Sequence, residues 1–218
     1  MNCTVLSARV LLTGFLKYAK NKEFSFVNKG LLSVRIETNI RGFDLFFQTS
    51  KDCFSPNYID KGTLAMLSLA EIGPGDKVLD LGCGYGAAGI AAAKICARAV
   101  MIDNDAEAVR LSRINAEANG VSNVTVLQSD GFSACGEKDF DLILCNPPYH
   151  TDFSVAKTFI EKGFNRLKMG GKMMMVTKRR EWYKNKLISV FGGVKIDEAE
   201  GYYIFTAEKR CGSYAKKR

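Results

Sequence analysis

The run Lys77-Val78-Leu79-Asp80-Leu81-Gly82-Cys83-Gly84-Tyr85-Gly86 decides the fold. Its first five residues form an apolar stretch broken by one carboxylate, the pattern of a strand buried on both faces. Glycine then recurs at 82, 84 and 86, and an alanine-rich segment from Ala87 to about Cys96 reads as a helix. Glycine is needed where backbone turns tightly and where a ligand must approach without a Cβ in the way. The start of the following helix offers N–H groups that have no partner inside it. Strand, glycine turn and helix in this order mark a ligand loop.

Two features narrow the ligand. Ala99-Val100-Met101-Ile102 reads as the next strand and ends at Asp103. In this topology an acidic residue there meets ribose hydroxyls, in a dinucleotide site and in an S-adenosylmethionine site alike. From Gly84 the run also fits Gly-x-Gly-x-x-Gly through Gly89, a dinucleotide fingerprint that is weak alone. Asp80, two residues before Gly82, leans the other way. A carboxylate at that mouth suits a sulfonium and an α-amino group better than a pyrophosphate. Residues 71–150 agree, with 6 basic and 11 acidic residues.

Outward from the loop, strand and helix patterns alternate. A helix from Asp105 to about Asn119 stops before Gly120, and Val124–Leu127 and Phe140–Cys145 read as strands. A helix over Ser154–Leu167 is expected to end at Gly170-Gly171, before a strand over Met173–Val176. A basic helix near Glu181–Val190 leads to strands near Val194–Ile196 and Tyr202–Thr206. Such alternation implies a parallel sheet covered on both faces. Residues 197–201 are too few for a crossover helix, so the last two strands should pair antiparallel. The expectation is an α/β, Rossmann-like fold: a mostly parallel seven-stranded sheet with a final antiparallel hairpin.

The N-terminal part differs in texture. Residues 5–19 read as a short helix with one apolar face, and Leu31–Glu37 and Phe43–Phe47 as a small β-hairpin. Ile59–Ala70 reads as a helix leading into the core. The expected division is an N-terminal helix-and-hairpin extension over 1–58 and a ligand-binding domain over 59–218.

Composition excludes several classes. A chain of 218 residues with 47% hydrophobic and 25% charged residues is a globular domain, not a disordered one. The apolar patch near Val10–Leu16 is bracketed by Arg9 and Lys17, too short to span a bilayer. Seven cysteines without a Cys-x-x-Cys pair read as reduced thiols, which places the chain in the cytoplasm. One histidine, His150, and scattered cysteines give no metal-ligand spacing. The net charge is +8, and residues 151–218 hold 16 basic and 7 acidic residues. Lys178, Arg179, Arg180, Lys184 and Lys186 cluster there. Alone, such a run is a solvated face; beside an active site it is a surface for phosphates.

The second motif is Asn146-Pro147-Pro148-Tyr149-His150, at the end of the fourth strand. Ligands in open α/β sheets bind outside the carboxyl ends of the strands, so this segment should stand beside the glycine loop. Two prolines fix φ and remove two donors. They hold the Asn146 side chain and the Pro147 carbonyl as rigid acceptors, a pair that suits a planar amino group. Tyr149 offers a flat face for an aromatic base.

Together these residues resemble the class I S-adenosylmethionine-dependent methyltransferases. More narrowly they resemble the methyltransferase small domain family and its ribosomal RNA guanine-N2 methyltransferases. The likeness rests on Asp80-Leu-Gly-Cys-Gly-Tyr-Gly86 and Asn146-Pro-Pro-Tyr-His150, and includes the entry segment Phe54-Ser55 with Asp60-x-Gly62-Thr63. It implies that Asp80, Gly82, Gly84 and Gly86 line the methionine part of S-adenosylmethionine. Asp103 would take the ribose hydroxyls. Asp130 would approach the adenine amino group, with Phe132 beside the ring. Asn146 and Pro147 would hold the target amine and Tyr149 would stack on the base. RNA would lie on the N-terminal extension and on the basic residues Lys178 to Lys186.

The implied chemistry is transfer to an exocyclic nitrogen, whose lone pair is delocalised into the ring. Orientation and electrostatics matter more there than proton abstraction. Other readings stay open at this stage: an adenine-N6 methyltransferase, a protein glutamine-N5 methyltransferase, and a non-catalytic RNA-binding assembly factor. Asn-Pro-Pro-Tyr also occurs in the first two groups.

Overall fold

The structure, a computed structural model, describes residues 22–28, 31–51, 53–148 and 153–214. The helix expected over 5–19 lies outside the described residues. Three N-terminal strands, β1 (Lys22–Asn28), β2 (Leu31–Ile40) and β3 (Phe43–Ser50), form one antiparallel sheet in that order. The expected hairpin is β2–β3, turning through Arg41 and Gly42, both at positive φ. The edge strand β1 is an addition that the sequence reading did not contain.

Helix α1 (Lys61–Leu69) leads into the second sheet. Then follow β4 (Lys77–Leu81), α2 (Ala87–Ala93), β5 (Arg98–Asp103), α3 (Ala106–Ala118), β6 (Val124–Gln128), β7 (Phe140–Cys145), α4 (Phe153–Arg166), β8 (Leu167–Thr177), α5 (Arg180–Phe191), β9 (Lys195–Ala199) and β10 (Tyr202–Glu208). The strand order is β6-β5-β4-β7-β8-β10-β9, parallel except for β10, which runs antiparallel to both its neighbours. The chain therefore winds outward twice from the centre, and the order reverses between β4 and β7. That is where a ligand crevice forms in open sheets.

Side chains of the inner strands alternate between two cores, as the two-residue period of a strand requires. Val78, Ala99, Met101, Leu142 and Leu144 pack under α1, α2 and α3. Leu79, Leu81, Val100, Ile102, Ile143 and Cys145 pack under α4 and α5. Burial on both faces explains why these strands read as continuous apolar runs. The small sheet joins the first core through Ile36, Ile40, Leu45 and Phe47. It is also tied to α3 by a doubled amide clamp. Asn119 accepts from Phe46 N and donates to Phe46 O, and Asn115 does the same with Gln48.

One boundary differs from expectation. Gly170-Gly171 does not end a helix; α4 stops at Arg166 and both glycines lie inside β8, where its pairing with β7 shifts register. Gly170 sits at φ +77° and its N–H donates to the Lys209 carbonyl, while the Lys209 N–H donates to the Gly171 carbonyl. A Cβ on Gly171 would stand 2.7 Å from the Phe140 carbonyl oxygen. These glycines serve an irregular strand, a use that sequence punctuation alone does not separate from a helix stop.

Candidate active site

A cavity of about 450 Å³ opens at the carboxyl ends of β4, β5 and β7. Its walls come from the glycine loop, the starts of α1 and α4, and the segments after β5, β6 and β7. Five carboxylates stand in this lining, Asp60, Asp80, Asp103, Asp105 and Asp130, and no lysine or arginine does among the described residues. A crevice so charged attracts cationic ligand groups and repels a pyrophosphate.

The glycine loop is held by its backbone. Gly82, Gly84 and Gly86 all have positive φ. The N–H groups of Gly82 and Cys83 both donate to the Ile102 carbonyl at the end of β5, at 2.9 and 3.0 Å. Gly84 N–H donates to Asp103 Oδ2 at 2.8 Å, while Asp103 Oδ1 accepts from Asp105 N–H at 3.0 Å. Ser112 of α3 donates to the Gly84 carbonyl at 2.8 Å, and Asn115 donates to that of Tyr85 at 2.8 Å. Asp103 thus ties the loop to β5 in addition to facing the cavity.

Asp80 is 4% exposed and its Oδ2 accepts the Gly89 N–H at 2.7 Å. Burial pushes its carboxyl up to about 7. The Gly89 hydrogen bond opposes that rise and the nearby Asp103 charge adds to it. A Cβ on Gly89 would lie 2.4 Å from the Met101 side chain. Gly89 is therefore demanded by the packing of α2 on β5, which accounts for the dinucleotide-like spacing without a dinucleotide. Burial, and then the Asp80 charge, raises the Cys83 thiol well above its ordinary range, which leaves it a poor nucleophile.

At the end of β7, Asn146 is held through its nitrogen. Nδ2 donates to Asp60 Oδ2 at 3.0 Å and to Thr63 Oγ1 at 2.9 Å. Asp60 caps α1 by accepting from Thr63 N–H at 3.0 Å, and its Oδ1 accepts from the Tyr202 hydroxyl at 3.2 Å. Burial, then the Asp60 charge, raises the Tyr202 hydroxyl to about 12, so it stays a donor at neutral pH. Pro147 and Pro148 continue the cavity wall.

The structure gathers Asp80, Gly82, Gly84, Asp103, Asp130, Asn146 and Pro147 around one cavity. Gly86 stands behind it as the left-handed cap of α2. Phe132 departs from its expected place. It is 3% exposed and packs in the core under α4, with the Arg166 guanidinium 5.7 Å from its ring centre. It is not among the lining residues. Tyr149 and His150 lie outside the described residues. The basic cluster also divides. Lys178 sits 5.0 Å over the Tyr202 ring and Arg179 5.1 Å over Phe153, which is itself stacked on Trp182. Lys184 pairs with Glu181 at 3.8 Å, and Lys186 pairs with Glu161 of α4. Arg180 pairs with Glu181 and lies 6.0 Å over Tyr203.

Sequence reasoning missed Tyr202, Ser112 and Asn115 as site-building residues. It carried Asp60 and Thr63 only as part of an entry motif. Among the described residues no group of His, Cys, Asp and Glu could hold a metal ion, and no helix is long and apolar enough to cross a membrane.

The model of the methyltransferase small domain family matches residues 44–206, and the chain belongs to that family. It is 34% identical to the uncharacterized protein YbxB of Bacillus subtilis, over 78% of this chain and 89% of that protein. It is 30% identical to ribosomal RNA small subunit methyltransferase C of Pseudomonas putida, over 82% of this chain and 55% of that enzyme. The structure of the T. thermophilus 16S rRNA N2 G1207 methyltransferase (RsmC) with AdoMet and guanosine superposes with a TM-score of 0.75. That match has 26% identity and covers 93% of this chain and 60% of the other. The chain thus spans about half the length of the methyltransferase C relatives it matches.

Proposed function

From membership of the methyltransferase small domain family, we propose that this chain methylates the exocyclic N2 amine of a guanine in ribosomal RNA, with S-adenosylmethionine as the donor. The observation that carries the reading is Asn146-Pro147 set at the end of β7, beside a cavity rich in carboxylates. A structural relative bound to AdoMet and guanosine supports it.

The residues present fit the cofactor. When bound, S-adenosylmethionine supplies an electrophilic methyl group on a sulfonium centre. The acidic lining, without lysine among the described residues, suits its positive charges. Asp80 and the glycine loop would hold the methionine part, Asp103 the ribose hydroxyls, and Asp130 the adenine amino group. Asn146 Oδ1 and the Pro147 carbonyl would accept the two N–H bonds of the target amine, which orients its lone pair and stabilises charge that develops on nitrogen. Tyr149 would stack on the base. None of these roles needs a general base. The RNA would run over Lys178, Arg179 and Arg180, whose charges ride on aromatic rings, with Lys184 and Lys186 further along α5. We assign the enzyme to the cytoplasm, where that substrate is assembled, and the catalytic unit to residues 59–218.

The test is methyl transfer from radiolabelled S-adenosylmethionine to ribosomal subunits from a strain lacking the gene, followed by nucleoside analysis. Label in N2-methylguanosine supports the reading. Label in N6-methyladenosine corrects the base. Label in protein, or none, overturns it.

A further inference from the structure

We propose that Asp60 and Tyr202 are positioning residues for the transfer step, acting through the Asn146 amide. The inference rests on the proposed amine transfer, but its structural basis is independent of the substrate's identity.

An asparagine side chain is useful as an acceptor only if its oxygen, not its nitrogen, meets the amine. The two ends of an amide have nearly the same shape, so packing alone does not choose between them. Here the choice is made electrostatically. Asp60 Oδ2 already accepts the Thr63 N–H, and an acceptor at this spot calls for the NH2 end of Asn146 to face it. Thr63 Oγ1 takes the second amide hydrogen. Turning the amide over would aim its carbonyl oxygen at a buried carboxylate and strand that carboxylate's acceptor, a costly arrangement. Oδ1 is thereby fixed as the acceptor of this side chain.

Asp60 is in turn fixed from two sides. It is 7% exposed, its Oδ2 accepts the Thr63 N–H, and its Oδ1 accepts the Tyr202 hydroxyl from the last strand. Gly62 is required for this approach, because a Cβ there would lie 2.8 Å from both Asp60 Oδ2 and the Tyr202 ring. Asp60, Asn146 and Tyr202 come from the entry helix, β7 and β10, so the device spans the whole domain. It gives the entry motif Asp60-x-Gly62-Thr63 a physical purpose. Asp60 selects the sense of the amide, Gly62 admits the tyrosine, and Thr63 closes the second hydrogen.

The test separates positioning from folding. Asp60→Asn keeps a good helix cap for α1. It also offers Asn146 a partner that can either donate or accept, so the sense of the amide is no longer imposed. The expected result is a fall in kcat of about 100-fold, of the size seen when an electrostatic contact to the reacting group is lost. Cofactor affinity by calorimetry and KM for RNA should stay within about threefold, as for an interaction made only in the transition state. Tyr202→Phe keeps the ring and removes one hydrogen bond, so kcat should fall about fivefold. In an Asn146→Ala background the same substitution should cost nothing further, because its target is gone. The side-chain amide hydrogens of Asn146 should exchange slowly in wild type and quickly in Asp60→Asn. Additive losses in the double variant, or wild-type kcat in Asp60→Asn, would overturn the proposal. Wild-type enzyme that labels no RNA refutes the proposed function instead, and the exchange measurement then still decides whether Asp60 orients the amide.

Discussion

The two walls of the cavity are built by opposite means. Between β4 and β5 the backbone does the holding: positive-φ glycines, a carbonyl that receives two loop N–H groups, and one aspartate that bridges Gly84 and Asp105. At the end of β7 a single side chain, Asn146, matters most, and side chains hold it. Its partners stand 83 and 86 residues away, and Tyr202 is 142 residues from the aspartate it supports. A wall made of backbone is sensitive to any added Cβ. A wall made of side chains is sensitive to substitutions far away in the chain.

The contrast is sharpened most by Gly84→Val. Gly84 sits at φ +55° with open space where a Cβ would go, so a branched side chain is both strained and thrust toward the ligand. Calorimetry should find cofactor affinity reduced by about 100-fold or more. Gly89→Ala attacks the same wall from behind, through the 2.4 Å contact with Met101. Overpacking of that kind should lower the melting temperature by about 5 °C in a calorimetric scan.

The basic face gives a smaller effect. Arg179→Ala should raise KM for RNA about threefold and flatten its salt dependence, as expected for one lost phosphate contact. Lys186→Ala should raise KM less than Arg179→Ala does, since that lysine is already engaged with Glu161. Equal effects from the two would remove the distinction drawn between the stacked cations and those along α5.

The smallest effect expected is on the pH dependence of stability. Asp80 in the folded protein titrates near 7, well above an unfolded aspartate. The native state therefore binds the extra proton between those values. Its contribution to stability is present at acid pH and is lost as pH rises through about 7. Asp80→Asn should flatten the change in melting temperature between pH 5 and pH 8 and raise the value at pH 8 by a few degrees. Unfolding of the protein without ligand, followed by fluorescence at both pH values, checks this.

The same division explains what was legible in the sequence. Gly82, Gly84 and Gly86 announce themselves because only glycine adopts those conformations freely, and Asp103 because it ends an apolar strand at a fixed distance. The seven-stranded sheet and its last antiparallel pair followed from continuous apolar runs and from a link too short to cross over. Tyr202 could not be read in this way, since an aromatic residue in a strand looks like core. Phe132 shows the reverse: the family resemblance implied a ring beside the adenine, whereas packing under α4 took it. Gly170-Gly171 punctuated a bulge instead of a helix end, because glycine serves both.

The most direct single test is a crossed measurement on Asn146→Ala and Asp103→Ala, with cofactor affinity by calorimetry and single-turnover methyl transfer to ribosomal RNA followed on the same samples. Asn146→Ala should bind cofactor like wild type and transfer at least about 100-fold more slowly. Asp103→Ala should bind cofactor weakly and recover most of its transfer rate when cofactor is raised to saturation. If Asn146→Ala loses both properties together, or transfers at the wild-type rate, the two walls do not divide binding from transfer, and the proposed role of the Asn146 amide is wrong.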